Sequence, residues 1–210
     1  DVKAILLVHL FGEPVNLSKI KKFCDDNEII IIEDCAQSLG SCYKSGKQTG
    51  TVGVAGAFSF FPTKNLGCFG DGGAICTDDH DLVKKIKVIK NHGCAKKYFP
   101  ETMGFNFRLD TLQASILRVM LRNLKETLYL REQSAKKYLA GFAHIQEIKL
   151  PQDSKGRTWN QFTIRTKDRD ELKKFLDFKK IGNAIYYPQS LNKSKLFNSS
   201  MRMENSETAC

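Results

Sequence analysis

The stretch AFSFFPTKNLGCFGDGG, residues 57–73, carries a single lysine out of an aromatic, apolar run and follows it with Gly67, Gly70, Gly72 and Gly73. A lysine beside aromatic side chains loses solvation; its pKa falls and its amine becomes a nucleophile near neutral pH. Ser59 stands five residues before Lys64 and offers a hydroxyl. The glycines give the backbone freedom to pack closely around a bound group. Upstream, Glu33 and Asp34 close a run of four isoleucines. Ligands of parallel α/β sheets bind outside the carboxyl ends of the strands. A carboxylate there either meets a ligand or serves as a cap or turn former.

A strand-end carboxylate, a serine and a lysine from successive strands have one coherent joint reading. Pyridoxal 5'-phosphate needs a lysine for its aldehyde, an acid that keeps its ring nitrogen protonated, and hydroxyl and amide donors for its phosphate. The lysine then serves as general acid and base. Other chemistries fit poorly. Gly46–Lys47 is followed by Gln48, so no Walker A loop forms, and no G-x-G-x-x-G follows a strand. His9, His80, His92 and His144 are dispersed, and the seven cysteines contain no C-x-x-C pair, so no metal site and no disulfide framework is expected. His92, in an Asn-His-Gly turn at a helix end, reads as a C-terminal cap or as a site residue.

These residues need elements to hold them. Continuous apolar runs at 4–9 and 28–33 read as parallel strands covered on both faces, with a helix over 17–26 between them whose inward face is Leu17, Ile20 and Phe23–Cys24. Further strands are expected at 57–61 and 72–77, and a helix from Asp78 or Asp79 to Lys90. A long helical pattern from Leu109 to about Phe142 follows, then strands at 145–150 and 159–165, a helix at 168–180 and a strand at 183–187. A composition shift near 125–145 divides the chain: residues 1–125 read as part of a large cofactor domain, and 126–210 as a connecting helix and part of a smaller one. The 210 residues are 41% hydrophobic and 27% charged, with a net charge of +10. No apolar run reaches the roughly 20 residues of a membrane helix, and DVKAILLVHLF does not read as a signal peptide. The lysines fall on helical faces such as LVKKIKVIK, a pattern of solvated surface that also suits an anionic small molecule. Nucleic acid and membrane partners are therefore not expected. Both ends look cut, as in a fragment of a longer chain.

Several ordered motifs resemble the DegT/DnrJ/EryC1/StrS aminotransferases, pyridoxal-phosphate enzymes that aminate nucleotide-linked keto sugars. IIEDCAQSLGS is similar to the family segment E-D-A-A-Q-A-x-G, and FSFFPTKNLGCFGDGGAICT to F-S-F-x-x-x-K-x-L-x-x-G-x-G-G-A. GFNFRLDTLQASIL resembles G-Y-N-x-R-x-x-x-x-Q-A-A, and NAIYYPQSL the small-domain h-Y-P-x-P-L. The resemblance runs through essentially the whole chain. It departs at Cys35, where the family has alanine, at Phe107, where tyrosine or serine is usual, and at Ser190 and Asn192, which replace a proline and a histidine.

The resemblance implies an α/β fold of the type I, aspartate-aminotransferase-like class: a large α/β domain on a mixed, mostly parallel sheet and a smaller C-terminal α+β domain, both partial here. It implies that Lys64 carries the cofactor and moves protons, that Asp34 pairs with the ring nitrogen, that Gln37 sits near the ring and its phenolic oxygen, and that Ser59 binds the phosphate. Asn106 lies in a loop that in this family reaches the cofactor phosphate of the neighbouring subunit, so a homodimer with shared sites is expected. His92 is a further catalytic or interface candidate, and Arg108 and Tyr187 are substrate-contact candidates. The related sugar 3-dehydrases have histidine in place of this lysine, so Lys64 points to amino transfer. The implied activity is an EC 2.6.1-type transfer from glutamate to a nucleotide-linked keto-6-deoxy sugar, leaning to the 3-keto over the 4-keto group. It would serve cell-surface glycan or amino-sugar synthesis, including lipopolysaccharide and other polysaccharides, in the cytoplasm. The fragment alone is expected to bind cofactor poorly. The alternative is a non-catalytic relative acting as a sensor or scaffold.

Overall fold

In the computed structural model, which describes residues 2–197 and 200–210, the organising element is a four-stranded sheet. Strands β1 (Ala4–Val8), β2 (Ile30–Asp34) and β3 (Ala55–Ser59) run parallel; β4 (Gly73–Cys76) returns antiparallel to β3, and the order is β1-β2-β3-β4. The register sets Val8 opposite Asp34 and Asp34 opposite Ala57, so the carboxyl ends of three strands form one edge.

Helix α1 (Leu17–Asp26) connects β1 to β2. Asn16 starts it, its side-chain oxygen accepting from the Ser18 N–H at 3.2 Å. The helix packs on Leu7 and Ile31 through Leu17, Ile20 and Cys24. Those positions lie three and seven residues apart on one helical stripe. Phe23, expected on the same face, is 61% exposed, because one helical step carries it about 100° round the axis from Cys24. The opposite sheet face is open within these residues: Leu6, Val8 and Ile30 are exposed, where apolar runs had been expected to be covered on both sides.

Asp79 begins α2 (His80–Ile89), its carboxylate accepting from the N–H groups of Asp81 and Leu82 at 2.8 and 3.0 Å. A hairpin of β5 (Cys94–Lys96) and β6 (Phe99–Pro100) follows. The long helical pattern is two helices, α3 (Thr111–Arg122) and α4 (Leu124–Phe142), separated at Asn123. A second core joins Leu117 and Leu109 to Leu66, Cys68, Phe60 and Leu39, and so packs α3 against the segment after β3.

The chain divides into two compact units, Asp1–Phe142 with Gln152–Phe162, and Ala143–Pro151 with Thr163–Cys210. The second holds a two-stranded pair, β7 (Ile148–Lys149) with β8 (Arg165–Thr166), and helices α5 (Arg169–Phe178) and α6 (Glu204–Thr208). The strand expected at 159–165 is reduced to β8, which shares only Arg165 with it. Its earlier part spends its polar backbone elsewhere: the Asn160 carbonyl accepts from Arg131 Nη1 at 3.0 Å, and the rings of Trp159 and Phe162 stack, with Phe162 against Tyr138 of α4. Residues 183–187 form no ladder among the described residues. Asn183 instead ties back to Asp177 and Ile181 through its amide.

Candidate active site

The carboxyl edge of the sheet collects the residues singled out by their chemistry. Asp34 ends β2, and Ser59 ends β3 two residues beyond the partner of Asp34. The chain then turns at Pro62–Thr63 and presents Lys64, whose backbone N–H closes the turn on the Phe61 carbonyl at 2.9 Å. It returns beside β3, with Cys68 N–H on the Phe60 carbonyl and Phe60 N–H on the Gly72 carbonyl, both at 2.8 Å. Two glycines are required by close approach. A Cβ at Gly67 would lie 2.6 Å from the Pro62 oxygen, and one at Gly73 2.8 Å from the Phe58 oxygen. The glycine string is thus the condition for folding the chain tightly around the lysine.

Asp34 uses one carboxylate oxygen to accept from Ala36 N–H at 2.9 Å; its other oxygen has no partner among the described residues. Ser59 Oγ accepts from Phe61 N–H at 3.3 Å, which leaves its own O–H uncommitted among those residues. Lys64 is half-buried, and no ion pair or hydrogen bond among the described residues engages its amine. An amine, a carboxylate oxygen and a hydroxyl proton therefore stand unspent along one edge. That donor set fits a group bearing an aldehyde, a basic ring nitrogen and a phosphate.

Glu33, adjacent in sequence to Asp34, has the opposite character. Strand alternation puts the two side chains on opposite faces, and Glu33 is 0% exposed. Its Oε1 accepts from the Tyr43 hydroxyl, from His9 Nε2 at 3.2 Å and from Gly50 N–H at 2.7 Å; its Oε2 accepts from Val52 and Gly53 N–H at 2.8 and 2.7 Å. Burial pushes the carboxyl up, but the hydrogen bonds from His9, Gly53, Tyr43 and Gly50 outweigh it and hold the group down at about 2. Burial, and then the hydrogen bond to Glu33, push the Tyr43 phenol up. Val15 N–H donates to His9 Nδ1 at 3.1 Å, so the His9 ring proton sits on Nε2, facing Glu33. His9, Glu33 and Cys35 bring ligand atoms within 4.8 Å of one another. Their chemistry is that of a hydrogen-bonded network, since Glu33 is saturated with donors, both His9 nitrogens are engaged, and burial pushes the Cys35 thiol up to about 12.

Gln37 lies in the segment after β2. Its Oε1 accepts from Phe11 N–H at 2.6 Å, and its Nε2 donates to Gln161 Oε1 at 3.2 Å. His92 and Arg108 are brought together: Arg108 Nη1 donates to His92 Nε2 at 2.9 Å and reaches Asn91 Oδ1 at 3.4 Å. Asn106 pairs with Asn91 by a backbone bridge in the same cluster. Tyr187 is half-exposed in the second unit, its ring edge-on to Tyr186. Residue type and position alone did not separate Glu33 from Asp34, which only the family resemblance singled out, and Asn65 and Thr158 were passed over, since their partners are far along the chain.

A family model, described as the DegT/DnrJ/EryC1/StrS aminotransferase family, matches residues 1–210. The chain belongs to this family. It is similar to the dTDP-3-amino-3,4,6-trideoxy-alpha-D-glucose transaminase of Streptomyces venezuelae, 39% identical over 197 residues, which cover 93% of this chain and 52% of the relative. It is also similar to a "Pleiotropic regulatory protein" of Geobacillus stearothermophilus, 40% identical over 203 residues, covering 93% and 53%. The crystal structure of S. venezuelae DesV in complex with a ketimine intermediate superposes with a TM-score of 0.90 at 38% identity, over 99% of this chain and 56% of that one. The fold is accordingly that of the pyridoxal-phosphate-dependent aminotransferases, with an α/β architecture on a mixed, mostly parallel sheet. The chain spans about half the length of the relatives it matches. No helix among the described residues is long and apolar enough to cross a membrane.

Proposed function

We propose that the whole protein is a pyridoxal-phosphate-dependent aminotransferase that moves an amino group from glutamate to a nucleotide-linked keto-6-deoxy sugar. One observation carries the reading: Lys64, Asp34 and Ser59 share the carboxyl edge of adjacent parallel strands, and each keeps its reactive atom free of partners among the described residues. Pyridoxal phosphate, when bound, supplies the electron sink for the substrate carbon. Lys64 holds the cofactor and moves the proton at that carbon. The free oxygen of Asp34 holds the proton on the ring nitrogen. The Ser59 hydroxyl donates to the phosphate, and the remaining Gln37 amide proton is available to the ring's phenolic oxygen. Arg108, paired with His92, and Tyr187 are assigned to substrate, and Asn106 to the neighbouring subunit of a cytoplasmic homodimer. The 3-keto position is preferred to the 4-keto, supported by the 3-amino product named for the S. venezuelae relative. The name of the G. stearothermophilus relative favours the second reading, a regulatory protein without turnover. The intact set of Lys64, Asp34, Gln37 and Ser59 weighs against it.

The deciding experiment adds pyridoxal phosphate to the whole protein, reduces with borohydride and maps the labelled peptide by mass spectrometry. Label on Lys64 is expected, followed by glutamate-dependent amination of 3-keto sugar nucleotides. Label on another lysine, or none, overturns the assignment and favours the regulatory reading.

A further inference from the structure

The residue after Lys64 makes the longest-range polar contact of this turn. Asn65 is 6% exposed, and its Nδ2 donates to the Leu39 carbonyl at 3.0 Å and to Thr158 Oγ1 at 2.9 Å. A carbonyl can only accept, which fixes the amide's orientation. Thr158 Oγ1, having accepted, must send its own proton to Ser41 Oγ at 2.8 Å, and Ser41 must send its proton to the Gly12 carbonyl at 2.8 Å. The direction of every donor in the chain Asn65, Thr158, Ser41, Gly12 follows from its two ends. Ser41 and Thr158 are buried, and Gly12 (φ +89) is pressed so close that a Cβ would lie 2.7 Å from Thr158 Oγ1. The chain thus ties the turn carrying Lys64 to the segments that follow β1 and β2, and to the backbone at residue 158.

We propose that Asn65 and Thr158 are positioning residues that fix the direction in which Lys64 leaves the backbone, an inference that rests on the reading of Lys64 as the cofactor lysine. Beyond this network, among the described residues, the Lys64 N–H to Phe61 bond alone holds the lysine's own backbone. A side chain locked at the next residue removes the rotation that bond leaves open. Neither group touches the reacting atoms. The Asn65 Oδ1 is buried without a partner among the described residues. A buried acceptor left unpaired costs stability, so the amide is kept for its two donors.

The test uses the whole protein and the variants Thr158→Val, Thr158→Ser, Asn65→Ala and the double variant Asn65→Ala/Thr158→Val. The readouts are the rate at which Lys64 captures pyridoxal phosphate, trapped by borohydride and mapped by mass spectrometry, and hydrogen exchange of the peptide spanning 62–67 in cofactor-free protein. Displacing a reacting group by about 1 Å costs up to roughly a hundredfold in rate. Thr158→Val and Asn65→Ala are expected to slow capture by about tenfold or more and to speed exchange of the turn. Thr158→Ser, which keeps the hydroxyl, should restore both. The double variant should be no slower than its worse parent, as for one shared interaction. Wild-type label on Lys64 with capture unchanged in both folded single variants overturns the clamp alone, as does a Thr158→Ser variant as slow as Thr158→Val. Wild-type label on a different lysine overturns the functional reading instead.

Discussion

Replacing Glu33 with glutamine tests how the carboxyl edge is built. The two side chains have nearly the same shape, so packing is unchanged and only the electrostatics differ. Glu33 is held at about 2 against an ordinary value of 4.5. That depression corresponds to on the order of 3 kcal/mol of stability at neutral pH. Because the folded value lies below the unfolded one, the contribution is fully present above about pH 4.5 and is lost as pH falls toward 2. In the glutamine variant one oxygen becomes an NH₂ group facing donors. If that oxygen is Oε2, the new donor meets the N–H groups of Val52 and Gly53; if it is Oε1, it meets Tyr43, His9 and Gly50. Either flip leaves at least two buried donors unpaired, at about 1–3 kcal/mol each. Denaturant unfolding of the whole protein at pH 7 should therefore show a loss of about 3 kcal/mol or more. The variant should also lose less stability than the wild type as pH falls below 4.5, the remaining slope coming from other lowered carboxylates such as Asp79 and Asp177. A variant within about 1 kcal/mol of wild type, or one that keeps the wild type's full acid slope, refutes the account of Glu33 as a saturated buried anion.

Three further outcomes are expected. Lys64→Ala should abolish both the visible absorbance of bound cofactor and turnover while leaving the unfolding midpoint near wild type, because its amine has no partner among the described residues; retained turnover removes its role. Asp34→Asn keeps an oxygen for the Ala36 N–H, so cofactor capture should persist while amino transfer slows by orders of magnitude; near-normal rates in steady-state assays exclude it as the ring-nitrogen partner. Gly67→Ala places a methyl 2.6 Å from the Pro62 carbonyl oxygen, and should cost about 1–3 kcal/mol in denaturant unfolding and slow borohydride-trapped capture at Lys64; unchanged values for both contradict the tight turn.

The elements near the site were legible because their signals are local. Parallel strands show as continuous apolar runs, and the glycines after Lys64 show a chain that must fold closely. What escaped was whatever depends on distant partners. Glu33 and Asp34 are indistinguishable as adjacent acids; they are separated by strand alternation and by donors from His9, Tyr43 and Gly50–Gly53. The apolar pattern at 159–165 matches a strand, yet Trp159 and Phe162 use it to stack, with Phe162 meeting a ring of α4, because a ladder partner is not written in the local sequence. The break at Asn123 carries no proline or glycine to announce it; Asn123 simply leaves helical geometry at φ −100°, ψ 4°, and its carbonyl accepts from Thr127 to start the next helix.

The polar groups of this edge divide by whether they are spent. Glu33, His9 and Tyr43 hydrogen-bond one another, and Glu33 binds the backbone at 50–53, so the segments after β1 and β2 and the entry to β3 are held from beneath. Asn65, Thr158 and Ser41 do the same for the turn after β3. Each committed group is buried, where an unpaired polar atom is costly and a paired one is rigid. The groups with chemistry to offer are the half-buried ones: Lys64, one oxygen of Asp34 and the hydroxyl of Ser59. A site that must receive a charged group needs this arrangement. A reactive atom already paired within the protein would have to break that pairing before it could bind, and a free one on an unanchored loop would spend binding energy on being held still. Rigid buried polar pairs beneath uncommitted reactive atoms meet both requirements, and they do so here with residues that neighbour one another in sequence, Glu33 beside Asp34 and Asn65 beside Lys64.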